Sequence, residues 1–166
     1  MTQIIQLPQP APLELSLGSA LAKRRTNRQC TSEALSDEAL AALLWACAGI
    51  TAEDGRRTVP STLDLRAVSA YVLRADGAWR FDAEKNCLEQ TTDEDVRELS
   101  TSYQFDYVKT APVTIVFVAD RERSKTARPT GVFVDAGTMG QSCYLAATAL
   151  GLAGCGNAGT ETATQS

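Results

Sequence analysis

Residues 67–82 read AVSAYVLRADGAWRFD. Apolar, β-branched and aromatic residues fall into two short runs, 67–74 and 79–82, on either side of Ala75-Asp76-Gly77-Ala78. An Asp-Gly pair tolerates the positive φ of a tight turn, so the runs are predicted to be paired strands of a hairpin. Residues 112–118, PVTIVFV, form a near-continuous apolar run. That is the pattern of a central strand covered on both faces. Helical signals surround these strands. Ser16 precedes Leu17, Ala20 and Leu21, which share one helix face, and this helix is predicted to run to about Arg25. Ser36-Asp37-Glu38 supplies a cap and an acidic first turn for a second helix, which Gly49 closes. Its segment ALAALLWACA is apolar almost all round and is predicted to be buried. Residues 93–109 read as a helix with an acidic start. Residues 132–150 read as a long helix rich in Ala, Gly and Ser, ended by Gly151. Residues 51–65 and 121–130 read as connecting loops. The order of helices, strands, helix, strand and helix makes an α+β domain over residues 16–166. Pro8, Pro10 and Pro12 mark residues 1–15 as an extended arm.

Charge and composition narrow the function classes. Acidic residues outnumber basic ones 20 to 16, which argues against a nucleic-acid or anionic-membrane partner. No apolar run approaches the roughly 18 residues of a membrane span, and the first residues, MTQIIQLPQPAP, lack the pattern of a secretory leader. The cytoplasm is the expected compartment. Five scattered cysteines with no C-x-x-C pair encode neither a disulfide framework nor a zinc site. The histidine count is 0, which removes Ser-His and Cys-His nucleophile pairs and the commonest metal ligand.

Against this acidic background, residues 23–28, KRRTNR, concentrate positive charge at the end of the first helix. The cluster is local and suits a small anion. Phosphate needs donors converging from one side, which arginine provides as a planar fork. Arg24, Arg25 and Arg28, with the Thr26 hydroxyl among them, could aim at one point; equally, they could be a solvated helix end that complements the helix dipole. Pro60-Ser61-Thr62 reads by itself as a capped turn. Gly151, Gly154, Gly156 and Gly159 let backbone N–H groups approach a ligand, or form a flexible coil; they do not make a dinucleotide fingerprint.

Four blocks in order, ALAKRRTNR, LSDEALAALLWACAGIT, RTVPSTLDLRAVSAYVL and DAGTMGQSCYLAATALGLAGCG, resemble successive blocks of the nitroreductase superfamily of flavoproteins. The likeness covers residues 4–159 and is closest to the SagB-type dehydrogenase branch. It implies an FMN-binding α+β fold with a central, mostly antiparallel sheet flanked by helices, in an intertwined homodimer with two flavins at the interface. It further implies that Arg24, Arg25, Thr26 and Arg28 meet the phosphate and ribityl chain, and that Pro60, Ser61 and Thr62 reach the flavin of the other subunit. Gln104 falls where the family often places an amide contact to the ring, and Gly156, Asn157, Ala158 and Gly159 match the stretch facing the ring edge near N5. Thr26 replaces the motif serine and keeps its hydroxyl. Leu63, Asp64, Arg66 and Ala67 replace residues that are usually Gly, Ala or Asn, Tyr and Pro. Relatives also continue beyond the position of Ser166 through another strand. The implied reaction is ping-pong, with hydride passing from NAD(P)H to the flavin and on to a small acceptor such as a nitroaromatic or quinone. No side chain is required as catalytic acid or base. The alternatives are a SagB-like azoline dehydrogenase, a non-enzymatic flavin-binding or partner subunit, and a structural dimer without ligand.

Overall fold

In the computed structural model, residues 3–100, 106–126 and 128–156 are described. The first helix, α1 (Leu17–Lys23), opens where the Ser16 hydroxyl accepts the Ser19 N–H at 3.2 Å. It ends before Arg24, which has left helical geometry at ψ 124°. The second, α2 (Asp37–Ala48), is capped by the Ser36 hydroxyl on the Ala39 N–H. The expected burial holds except at Trp45, which is exposed: Leu40, Leu44 and Cys47 are among the most enclosed side chains of the described residues. Gly49 closes α2 with an extended backbone. A Cβ there would stand 2.4 Å from Trp45 Cδ1 and 2.6 Å from the Trp45 carbonyl oxygen, so the need for glycine is steric.

Strands β1 (Ile4–Gln6), β2 (Val68–Arg74), β3 (Gly77–Asp82), β4 (Cys87–Thr92) and β5 (Thr114–Ala119) form one antiparallel sheet in the order β1-β4-β3-β2-β5. The β2–β3 hairpin is present as predicted, and tighter: only Ala75 and Asp76 lie outside its strands. Gly77 has φ 131°, and a Cβ there would lie 2.2 Å from the Thr92 carbonyl oxygen. Only glycine fits this approach, next to the register shift at Ala78/Trp79. The core face carries Val68, Val72, Trp79, Phe81 and Leu88, packed against α2 and against Met139 of the last helix, α4 (Pro129–Ala149). Burying each such side chain contributes about 1.5–3 kcal/mol. As expected, Gly151 ends α4: it takes φ 71°, and the Leu152 N–H reaches back to the Ala147 carbonyl at 2.8 Å.

Three sequence expectations are corrected. Among the described residues the run 112–118 is not a central strand: β5 lies at one edge of the sheet, paired with β2, half-buried at first and exposed at Val118. Apolar runs report covered faces, not the number of hydrogen-bonded neighbours. Residues 93–109 are not one helix. Asp95 instead accepts both the backbone N–H and the guanidinium of Arg97, whose Nη1 donates to the Ala111 carbonyl at 3.0 Å. A 3₁₀ turn follows at Arg97–Ser100, and helix α3 covers only Asp106–Thr110. Residues 4–6 are not merely an arm: β1 pairs with β4, and Leu7 enters the core. No helix among the described residues is long and apolar enough to cross a membrane.

Candidate functional site

The basic cluster begins where α1 ends. Arg25 Nη1 donates to the Ala22 and Arg24 carbonyls at 2.9 and 2.7 Å, which ties this arginine to the helix terminus. Arg24 takes another course: its guanidinium lies over the Tyr144 ring, 5.5 Å from the centroid. Thr26 and Arg28 are exposed. The Asn27 N–H donates to the Gly154 carbonyl at 2.9 Å, and the Gly156 N–H donates to the Tyr144 hydroxyl. The basic loop, Tyr144 and the glycine-rich stretch after α4 therefore meet at one place. Every ion pair found among the described residues involves other cations, so no carboxylate pairs with Arg24, Arg25 or Arg28. Unpaired guanidiniums, a hydroxyl and backbone free of Cβ bulk at Gly154 and Gly156 are the donor set that a phosphate monoester beside a flat ring requires.

The second predicted segment lies elsewhere. Asp135, a buried residue of α4, accepts the Thr62 N–H at 2.9 Å and the Thr62 and Ser61 hydroxyls at 2.8 and 3.2 Å. Ser61 Oγ in turn accepts the Arg66 N–H at 2.8 Å. A Cβ on Gly131 would stand 2.8 Å from Thr62 Cγ2, so the loop sits directly on the helix backbone. Pro60 is exposed at its tip. Beyond it, Leu63, Asp64 and Arg66 adopt φ of 54°, 54° and 48°, a left-handed stretch built without glycine.

The two half-sites hang on the same helix. Asp135 and Tyr144 are separated by 144 − 135 = 9 positions within α4. At 3.6 residues per turn that is about two and a half turns and roughly 13 Å along the axis, which leaves the two side chains pointing to opposite sides. Loop 60–62 and the Arg24–Gly156 cluster of one chain thus do not converge on a common point. Gln104, Asn157, Ala158 and Gly159 lie outside the described residues. Sequence reasoning missed Asp135 and Tyr144, although a lone acid in a helix of small residues was the available signal for Asp135. Burial pushes the Cys143 thiol up to about 11 and raises Cys47 as well, with Cys143 adding to that rise, so both favour the protonated form.

Residues 21–164 match the Nitroreductase family. A Methanocaldococcus jannaschii protein assigned as a nitroreductase is 32% identical over 165 residues, covering 91% of this chain and 81% of its own length. The crystal structure of a protein assigned as a nitroreductase from Ralstonia eutropha JMP134 superposes with TM-score 0.83 at 33% identity, covering 90% of this chain and 73% of that one. Another, from Desulfovibrio desulfuricans and in complex with FMN, gives TM-score 0.57 at 28% identity over 82% of this chain and 64% of that one.

Proposed function

Because the chain belongs to the nitroreductase family, we propose that it is an FMN-dependent oxidoreductase that takes hydride from NAD(P)H and delivers it to a small acceptor of the nitroaromatic or quinone class. The observation that carries this reading is the cationic loop after α1, in which Arg24 and Arg28 have no carboxylate partner among the described residues and which Arg24 and Asn27 tie to Tyr144 and Gly154. In this assignment Arg24 and Arg28 hold the phosphate with Thr26, while Arg25 fixes the helix end from which they project. Gly154 and Gly156 give the ring edge access to backbone, and the family resemblance assigns Gln104 an amide contact to the ring and Asn157, Ala158 and Gly159 the ring edge, all four lying outside the described residues. FMN, when bound, supplies hydride transfer through its ring nitrogen N5. The side chains bind, orient and exclude water, and none is assigned as an acid or base.

The opposite placement of Asp135 and Tyr144 on α4 supports a homodimer in which loop 60–62 of one chain closes over the flavin held by the other. The exposed Leu17, Leu21, Phe133 and Val134 supply apolar surface for such an interface. The test is direct: the purified protein should be yellow, and anaerobic NADH or NADPH should bleach it. Colourless protein that takes up no FMN on reconstitution would overturn the cofactor assignment. Yellow protein that neither nucleotide bleaches would favour a flavin-binding subunit without this activity.

A further inference from the structure

Pro60 and Ser61 of loop 60–62, with the Asp64 carboxylate, form part of the wall of a cavity of about 240 Å³ whose positive charge the assigned flavin contacts leave unused. Three arginines line it: Arg56, Arg57 and Arg66. Two are already paired. Arg56 meets Asp54 at 2.6 Å, and Arg66 gives Nε to Asp64 at 3.0 Å. Arg57 is different. No ion pair to it is found among the described residues, and its Nε is buried without a hydrogen-bond partner. Burial, with the positive charge of Arg66 and Arg123 nearby, pushes its pKa down, against a smaller opposing pull from Glu84. The neighbouring hydroxyls are engaged elsewhere: Thr58 donates to the Trp45 carbonyl at 3.1 Å and Ser61 to Asp135. A guanidinium half removed from water with no carboxylate partner among the described residues is costly unless an anion answers its charge. A two-oxygen anion in the cavity answers that charge through the terminal Nη–H groups of Arg57, the enclosed Nε lying out of its reach.

We propose that this cavity is a second anion site, in which Arg57, with Arg66 beside it, holds the phosphate or carboxylate group of a small-molecule ligand. Whether that ligand is the reductant or the acceptor rests on the oxidoreductase reading; the anion site itself does not. Arg66, itself at a left-handed φ of 48°, shares the cavity wall with Arg57 and lies close to Gly55, whose missing Cβ leaves Arg66 Nη1 its room.

The experiment is a calorimetric titration of the purified protein, loaded with whatever flavin it carries, with inorganic phosphate. Wild type should bind saturably, and Arg57→Met should bind at least about tenfold more weakly, the usual scale for losing a charged hydrogen bond. Arg57→Lys should fall between them. Without phosphate, Arg57→Met should melt no lower than wild type, because it removes an unpaired, partly buried charge. No saturable binding by wild type, or wild-type affinity in Arg57→Met, overturns the proposal. So does loss of binding in the Arg24→Ala/Arg28→Ala variant with retention in Arg57→Met, which would send the phosphate to the other cradle. Should Arg57→Met fail to fold, an Arg57→Lys protein with unchanged affinity overturns it equally. Kinetics separate the sources: a raised KM in Arg57→Met for NADPH but not NADH identifies a nucleotide phosphate, and one for 4-nitrobenzoate but not nitrobenzene identifies an acceptor carboxylate. A variant that shifts neither pair overturns the ligand assignment. Protein that holds no flavin would sink the oxidoreductase reading and leave the phosphate titration to decide the anion site by itself.

Discussion

The Arg24 guanidinium stands over the Tyr144 ring, 5.5 Å from its centre, and the Tyr144 hydroxyl accepts the Gly156 N–H. One aromatic side chain therefore fixes Arg24, proposed above to hold the phosphate, and the glycine-rich stretch together. Tyr144→Phe keeps the ring and loses the hydroxyl, which should weaken flavin binding by about 1 kcal/mol. Tyr144→Leu loses both and should weaken it by about 2 kcal/mol. Quenching of flavin fluorescence on titration reads the affinity, and equal values for the three proteins would remove Tyr144 from the site.

Asp135 is a buried acid whose oxygens accept three donors from Ser61 and Thr62. Asp135→Ala leaves the Ser61 hydroxyl and the Thr62 N–H without their acceptor in a half-buried place, while the Thr62 hydroxyl keeps the Gly131 carbonyl at 3.2 Å. Leaving one buried donor unpaired costs about 1–3 kcal/mol, so a loss near 3 kcal/mol in urea denaturation is expected. Asp135→Asn keeps one acceptor oxygen and should lose less. If the alanine variant is as stable as wild type, loop 60–62 is not held by this residue.

Leu63 has φ 54° and ψ 22° and is 72% exposed, so its side chain contributes little burial to offset a left-handed backbone. Relieving that conformation is worth about 1–2 kcal/mol, and the added freedom of glycine in the unfolded chain costs about 0.5–1 kcal/mol. Leu63→Gly should therefore raise stability by up to roughly 1 kcal/mol. A lower denaturation midpoint in this variant would mean that the side chain has contacts that outweigh the strain.

Legibility followed locality. Helix α2 could be read because its cap, its acidic turn and its apolar run are contiguous, and the β2–β3 hairpin because Asp76-Gly77 lies between two β-rich runs. Strand β4 could not: CLEQTT has no apolar alternation, and it becomes a strand because β3 and β1 flank it. The acidic start of residues 93–109 imitated a helix cap, yet Asp95 spends its carboxylate on Arg97, two residues away. The same divide runs through the site. Arg24 to Arg28 announce themselves as a charge cluster, whereas Asp135, Tyr144 and Arg57 acquire their roles only when distant segments fold onto them.

The Asp95–Arg97 pair makes a pH prediction. The Arg97 guanidinium holds the Asp95 carboxyl below its usual 3.8, against a smaller upward effect of burial and with a lesser contribution from the Arg97 N–H. A carboxyl lowered in the folded state stabilises it above the unfolded value, and that stability is lost as the pH falls through the lowered value. The stability difference between wild type and Asp95→Asn should therefore be constant above about pH 5 and shrink towards pH 3. Urea melts across that window measure it. A difference that grows on acidification would mean the carboxyl is not held down in the folded state.

The arrangement on α4 yields the most discriminating expectation. Asp135 positions loop 60–62 and Tyr144 positions the arginine cradle, on opposite sides of one helix, so the reading advanced above completes each flavin site with a loop from the other chain. Consider a cradle-dead chain, Arg24→Ala/Arg28→Ala, and a loop-dead chain, Asp135→Ala. Alone, each forms dimers in which both sites are defective, and each should hold little flavin. In a mixed dimer, one site joins the dead cradle to the dead loop, and the other joins an intact cradle to an intact loop. Unfolding and refolding the two together in equal amounts gives half mixed dimers with one good site in two, so flavin content should recover to about a quarter of wild type. If each chain carried its own complete site, mixing would restore nothing, because every cradle would still face the loop of its own chain. Recovery therefore depends on the exchange of loops between chains, and flavin absorbance of the mixture beside the two separate variants decides the matter.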